Sequence, residues 1–429
     1  MNNCLLLLTN YYPFHKGEEY LETEIEYLAE KFKKIFVIST MVSNEMKQTR
    51  NVPENVQVIS LGVKHDLVGK IKMVLRQYKK IRKNYEKKIM INQDAKGKIL
   101  PKLYSYYFEC RSMEVYNKIK IELEKYNLNQ YDSISIYSYW FYITARVAVE
   151  LKQNYFKDRY IYTISRAHGY DINEHVNMIK FLPEREFLLN YLDNVFPVSQ
   201  NGVEFLKKKY PKYGHKVEIR RLGTKEIEIE KKHSNDKLYI VSCSTVRKLK
   251  RIDLLIKALQ VLEERKIDYK WTHIGNGPEF ENIKKLASTK LDKKNYEFTG
   301  YINNSEVLVW YKNNPSTVFV NTSFSEGVPV SIMEAMSIGL PIIATDVGGT
   351  REIVENGKNG YLLPRDCTIE QIVNSLINIK KTSEDNYRDM CRNSIEIWYE
   401  RCSAKKLYTD FAEELANNTE CETLFNLKR

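Results

Sequence analysis

The chain reads as two α/β domains, each a parallel sheet covered by helices. Its 429 residues are more than one ordinary core holds and suit two domains of about 200 residues each. Short apolar runs alternate with longer segments of helical periodicity over nearly the whole length, the pattern of successive strand–helix–strand units. A charged, core-poor stretch, Lys225–Lys237, interrupts that alternation and marks the linker. The division expected is a first domain over 1–222, a linker over 223–237, a second domain over 238–405, and a C-terminal helix and tail over 406–429.

Apolar residues make up 43% of the sequence, ample for two cores. The net charge of +12 favours an anionic partner, whether nucleotide, nucleic acid or lipid. The seven cysteines are dispersed, with no CxxC pair and no His-Cys cluster at metal spacing, and so read as reduced thiols in a cytosolic protein. The apolar run Cys4–Leu8 is short and has no basic residue ahead of it, which argues against a secretory signal. No stretch reaches the roughly 18 uncharged apolar residues of a spanning helix, so a membrane would be met from the side.

In order, Cys4–Leu8 is a buried strand, Thr9–Gly17 a loop, about Glu18 to Lys31 a helix and Ile35–Ser39 a second strand. Val56–Ser60 is a third. Between Lys64 and Lys88, ten basic residues (Lys64, Lys70, Lys72, Arg76, Lys79, Lys80, Arg82, Lys83, Lys87 and Lys88) stand against only Asp66 and Glu86. Leu67, Ile71, Val74, Leu75, Tyr78 and Ile81 recur there at helical spacing, which makes a basic amphipathic helix. Such a helix either lies on anionic lipid, each cation contributing about 1 kcal/mol, or packs its apolar face on its own domain. Nucleic acid is not expected, since no aromatic stacking platform accompanies the charge.

A helix over about Lys102–Lys125, a strand at Ser133–Tyr137, a helix at Phe141–Leu151 and a strand at Tyr160–Ser165 follow. The last strand runs into Arg166-Ala167-His168-Gly169-Tyr170-Asp171. Carboxyl ends of parallel strands face the ligand crevice, so His168 stands where chemistry would occur. Val195–Ser199, a helix at Gly202–Tyr210 and Val217–Arg221 close the first half.

Leu238–Ser242 opens the second sheet and leads through a basic turn, Ser244–Arg251, into a helix at Ile252–Glu264. Cations at such a turn suit a diphosphate, although an exposed basic turn is the plainer reading. Trp271–Gly275 and Tyr296–Thr299 are further strands, the second ending in Gly300-Tyr301-Ile302. The most informative stretch is Phe319–Leu363. Val318–Val320 is a short strand, Pro329 suits the first position of a helix, and Pro341–Ala344 is another buried strand. Gly327 lets backbone approach a ligand, and the helix start at Pro329 offers free N–H groups and a positive dipole end, a phosphate site. Glu326 precedes that helix. Glu334 lies five residues inside it, about 7.5 Å along the axis and on the face of Val330. The chain is helical from about Thr368 to Leu415, and Ala416–Arg429 is an expected frayed end.

This stretch resembles the signature of glycosyltransferase family four, retaining enzymes of the GT-B type. In that signature a glutamate, seven residues and a second glutamate precede a Pro-hydrophobic strand and an Asp-Val-Gly-Gly turn. Here those are Glu326, Glu334, Pro341 and Asp346-Val347-Gly348-Gly349. The resemblance implies an α/β, GT-B fold of two Rossmann-like domains facing each other across a cleft, with the last helix crossing back to the first domain. It implies that Glu326 contacts donor-sugar hydroxyls, that Glu334 holds the ribose, and that Gly327, Val328, Pro329 and Val330 line the donor phosphate. His168-Gly169-x-Asp171 resembles the family's amino-domain motif, in which the histidine reaches the donor sugar; Asp171 either serves the acceptor side or braces the loop. Gly17 stands where many members have two glycines near donor phosphate and acceptor, or is a plain turn. Lys250 matches the family lysine, whereas Thr245 holds the place of the expected arginine, with Arg247 as the substitute cation. Backbone at Tyr301 and Ile302 would lie against the base.

The implied activity is transfer of a hexose-type sugar from a nucleotide sugar, a UDP-sugar, to a hydroxyl of a glycan or polyprenyl-linked acceptor in cell-surface polysaccharide synthesis. No Asp-x-Asp cluster occurs, so no metal and no cofactor are expected, and a front-face substitution fits better than a covalent one. The expected location is cytoplasmic, peripheral on the inner face of a bacterial membrane through the 64–88 helix. A nucleotide-sugar 2-epimerase and a non-catalytic nucleotide-sugar-binding subunit are the alternatives; the Thr245 departure favours the second.

Overall fold

A computed structural model describes residues 2–14, 17–62, 67–226, 237–327 and 329–417. The chain divides into two compact units, Met1–Arg221 with Tyr408–Arg429, and Leu222–Leu407.

The first unit is built on β1 (Asn3–Thr9), β2 (Lys34–Ser39), β3 (Val56–Ser60), β4 (Ser133–Ser138), β5 (Tyr162–Ala167) and β6 (Asn194–Pro197). They form one parallel sheet in the order β3-β2-β1-β4-β5-β6. The unbroken leucine run of β1 follows from burial on both faces: Leu6 and Leu8 pack into one cluster, Leu5 and Leu7 into another. Around the sheet lie α1 (Leu21–Lys31), α2 (Leu67–Lys83), α3 (Tyr85–Ala95), α4 (Ile99–Leu123), α5 (Ile143–Glu150), the single turn α6 (Gly169–Ile172), α7 (Arg185–Tyr191) and α8 (Gln200–Lys209).

The second unit repeats the plan with β7 (Leu238–Cys243), β8 (Tyr269–Ile274), β9 (Tyr296–Gly300), β10 (Val318–Asn321), β11 (Ile342–Thr345) and β12 (Gly360–Leu363), ordered β12-β11-β10-β7-β8-β9. Its helices are α9 (Ile252–Glu264), α10 (Phe280–Lys290), α11 (Asn304–Asn313), α12 (Val330–Ser337), α13 (Ile369–Lys381) and α14 (Glu384–Cys402). A final helix, α15 (Ala404–Asn417), places Phe411, Ala412 and Leu415 in the cluster of Leu5 and Leu7 in the first unit. Among the described residues, no helix is long and apolar enough to cross a membrane.

Four sequence expectations need correction. The first helix begins at Leu21, because Glu18 has a left-handed φ of 59° and spends its carboxylate on loop amides. The basic helix is two helices: Asn84 ends the first and caps α3, accepting the Lys87 N–H at 3.0 Å. On α2 the buried face is Met73, Gln77 and Ile81, while Ile71 and Leu75, expected inward, are 52% and 64% exposed. Val217–Arg221 is not a strand; it meets β6 in a single bridge at Val195, because Pro197 has no N–H to donate to the next rung. Lys64, Asp66, Val328, most of the linker and the tail from 418 lie outside the described residues.

Candidate functional site

In the second unit the sheet order reverses between β7 and β10, so their carboxyl-end loops part there and leave a crevice. The β7 loop is held close to the β8 loop: Ser244 N–H donates to Ile274 O at 3.0 Å and Val246 N–H to Asn276 O at 3.1 Å. A Cβ on Gly275 would fall 2.0 Å from Ser244 O, so only glycine allows this approach. Val246 is buried and anchors the turn, leaving Thr245 and Arg247 exposed and Lys250 half-buried.

Lys250 Nζ lies 2.7 Å from Glu326 Oε1. Ser323 Oγ at 2.5 Å and Asn321 Nδ2 at 3.1 Å donate to the same oxygen. All three contacts given by the described residues fall on Oε1. The loop carrying Glu326 is stitched to its neighbours by Arg251, which donates to Thr322 O (2.7 Å), Ser323 O (3.3 Å) and Arg365 O (2.6 Å). The Arg365 guanidinium stacks 3.7 Å from the Phe324 ring centre. Gly348, at φ 54°, lets the β11 loop lie against this one; a Cβ there would stand 1.9 Å from Glu326 O. Five strand-end loops thereby fix one carboxylate and one ammonium.

Glu334 is 4% exposed on α12. The helix proper starts at Val330, with Pro329 as its cap. Burial pushes up the Cys243 thiol and the Tyr311 phenol, and the Glu334 charge adds to both shifts. Gly327 is exposed and has open space where a Cβ would stand. Tyr301 is 61% exposed just after Gly300, and Ile302 is half-buried. Arg247 forms no ion pair among the described residues.

In the first unit, β1, β4 and β5 are adjacent at the corresponding reversal, and their loops carry Gly17, Tyr139–Phe141 and His168–Asp171. His168 is half-buried, its ring 4.8 Å from Tyr139 and 4.6 Å from Trp140, with Nε2 3.0 Å from Tyr139 O. Burial, and then the Arg166 charge, lower its pKa to about 3. Asp171 is buried and accepts N–H bonds from His168 (2.5 Å) and Phe141 (2.7 Å), so it braces this loop; burial raises its pKa to about 7. Gly17 has φ 97° with open space beside it. The adjoining Glu18, unforeseen in the sequence, accepts from the Asn10, Tyr11 and Tyr12 amides and from Trp140 Nε1 at 2.6–2.8 Å. Only its position after a glycine in a strand-end loop could have signalled it.

Residues 224–397 match the protein family described as glycosyl transferases group 1. The chain is similar to the putative colanic acid biosynthesis glycosyltransferase WcaL of Escherichia coli, at 26% identity over 46% of this chain and 50% of that protein. It is also similar to the alpha-monoglucosyldiacylglycerol synthase of Acholeplasma laidlawii, at 25% identity over 56% and 54% of the two. The chain thus spans only about half the length of these curated relatives. Among solved structures, Anabaena Alr3699/HepE in complex with UDP and glucose aligns with a TM-score of 0.61 at 15% identity, covering 97% of this chain and all of that one. That likeness shows the fold, GT-B.

Proposed function

We propose that the protein is a retaining glycosyltransferase, a reading supported by the match of residues 224–397 to the glycosyl transferases group 1 in a chain of GT-B fold. It transfers a hexose from a UDP-sugar to a hydroxyl of a glycan or lipid-linked oligosaccharide in cell-surface polysaccharide synthesis. The reaction takes place in the cytoplasm, at the inner face of the membrane.

The observation that carries this reading is the Lys250–Glu326 pair at the reversal point of the second sheet. A departing UDP needs its developing charge met by a preorganised cation, and Lys250, held by Glu326, is fixed in place before substrate arrives. Arg247, exposed on the same turn, supplies a second cation where the family arginine is replaced by Thr245. The lysine takes the part that a metal would otherwise play. Glu326, with Oε1 occupied by protein donors, turns its other oxygen to sugar hydroxyls, and Glu334 takes the ribose. The acceptor oxygen bonds to the anomeric carbon on the face from which the diphosphate leaves, and its proton passes to a diphosphate oxygen, so the configuration is kept. His168, neutral at pH 7, serves the donor sugar as a hydrogen-bonding group. The names of the relatives, a colanic acid enzyme, a glycolipid synthase and a UDP–glucose complex, support the donor and acceptor classes.

Calorimetric titration with UDP, GDP and ADP tests the donor site. UDP should bind best, and Glu334→Ala should weaken it at least tenfold, about 1.4 kcal/mol. Glu326→Gln should keep UDP binding and lower turnover about a hundredfold or more. Binding of none of the three nucleotides, together with no turnover by the wild type, would bring the non-catalytic reading forward, whereas full turnover in Glu326→Gln would remove Glu326 from the mechanism.

A further inference from the structure

The first turn of α4 exposes aliphatic side chains that a soluble helix would normally bury. Ile99, Leu100 and Leu103 are 75%, 65% and 60% exposed, and Tyr107, one turn on, is 37% exposed. The same helix buries Ser105, Phe108 and Ser112 on its inward face, so these residues form a separate, outward apolar stripe. Between Asp94 and Glu109 the charged residues are Lys96, Lys98 and Lys102, all exposed, with no acid among them. The carboxyl end of α2 reaches the same place: the Tyr78 and Tyr106 rings pack at 5.2 Å, and the Arg82 charge is felt at Tyr106. That brings Lys79, Arg82 and Lys83 to the same end of the helical layer.

Ile99, Leu100 and Pro101 also line a groove of about 1850 Å³, together with Met178, Ile179 and Leu182 and with charged side chains such as Lys98, Lys180 and Glu186. The 178–182 segment follows the Gly169–Ile172 turn in the chain, after a short turn at Glu174–Val176.

We propose that the start of α4 is a tip that inserts into an anionic bilayer. Ile99, Leu100 and Leu103 enter the boundary of the acyl chains, while Lys96, Lys98 and Lys102, with Lys79, Arg82 and Lys83, meet the headgroups. Charge alone or a few apolar residues alone give weak, reversible binding; the two together give a stable dock. The groove then gives a lipid-linked acceptor a sheltered run from the bilayer towards the His168 turn. Only this last step rests on the proposed function, since docking is measured without turnover.

The experiment is flotation of the full chain with vesicles of equal phosphatidylglycerol and phosphatidylcholine, with UDP affinity measured in parallel. The triple variant Ile99→Ser, Leu100→Ser, Leu103→Ser should lose at least tenfold in vesicle partition and keep its UDP affinity, because these side chains are exposed and hold no core. Leu100→Trp should show blue-shifted emission with vesicles and quenching by brominated acyl chains, above the wild-type background. Wild-type binding that the serine variant retains and that salt abolishes would overturn insertion in favour of a purely electrostatic contact. Wild-type protein that does not float, or a dimer that the serine variant dissociates without change in vesicle binding, would also overturn it. Loss of UDP binding in the wild type, with the vesicle results intact, would instead strike the donor reading alone.

Discussion

The His168 ring lies against Tyr139 and Trp140, and Arg166 sits two residues before it; both circumstances disfavour the imidazolium. Its pKa falls from 6.5 to about 3, so the unfolded chain binds the proton more tightly across that window. Stability from this residue is therefore full above pH 6.5 and is lost progressively as the pH falls towards 3. Lowering the pH from 7 to 5 should cost about 1–2 kcal/mol through His168, with the accessible edge of the ring keeping it toward the lower figure. The thermal midpoint of the wild type should accordingly fall further than that of His168→Gln over this range; equal falls would mean that His168 titrates normally. At this scale the sequence was legible where a side chain serves a spaced motif. The motif intervals singled out Glu326 and Lys250, which lie 2.7 Å apart, and Glu334, which is buried on α12. Glu18 and Arg251 gave no such signal, because their partners are chiefly backbone amides and carbonyls, which every residue carries.

Helices α3, α4 and α5 meet around a buried ionic cluster. Arg146 lies 2.7 Å from Glu109, 2.7 Å from Glu150 and 2.8 Å from Glu184, and Lys87 lies 2.8 Å from Glu109 and 2.7 Å from Glu150. Burial, and then the Glu109 charge, raise Glu184 well above the usual carboxylate range. With Glu184 protonated, two cations face two carboxylates and the cluster is neutral. Arg146→Met leaves two buried carboxylates to Lys87 alone, which should cost about 3–5 kcal/mol. The midpoint of urea unfolding, followed by fluorescence, reads this out, and an unchanged midpoint would show that the cluster contributes no net stability. The sequence presented these residues as ordinary helix charges, since periodicity reports which residues share a face but not what another helix brings to it. The same limit explains α2. Its spacing identified a helix, yet packing against Cys110 on α4 selected Met73 and Ile81 as the buried face and left Ile71 and Leu75 outside.

Across the whole molecule, the alternation of strand and helix made both sheets legible except for β12, whose sequence reads as a turn, and the one expected strand that failed to form, Val217–Arg221, failed through a single missing N–H at Pro197. What alternation could not convey is that the first unit is completed by residues from the far end of the chain. Phe411 and Leu415 are 1% exposed, and they share a cluster with Leu5, Leu7, Ile164 and Phe196. The Phe411 ring also stacks 4.6 Å from the buried Arg166 guanidinium, which Glu24 neutralises at 2.9 Å. Ending the chain after Ser403 removes these contacts and should cost the first unit about 5 kcal/mol, at 1.5–3 kcal/mol for each large side chain lost. The second unit keeps its own cores, because the hydrogen bond from Thr224 N–H to Cys402 O precedes the cut. Hydrogen exchange separates the two outcomes within one sample. Amides of β1 and β5 should lose protection in the shortened chain while those of β7 and β10 keep theirs. Equal loss in both sheets would mean that the two units unfold as one cooperative body, and undiminished protection in β1 would mean that α15 adds little to the core it covers.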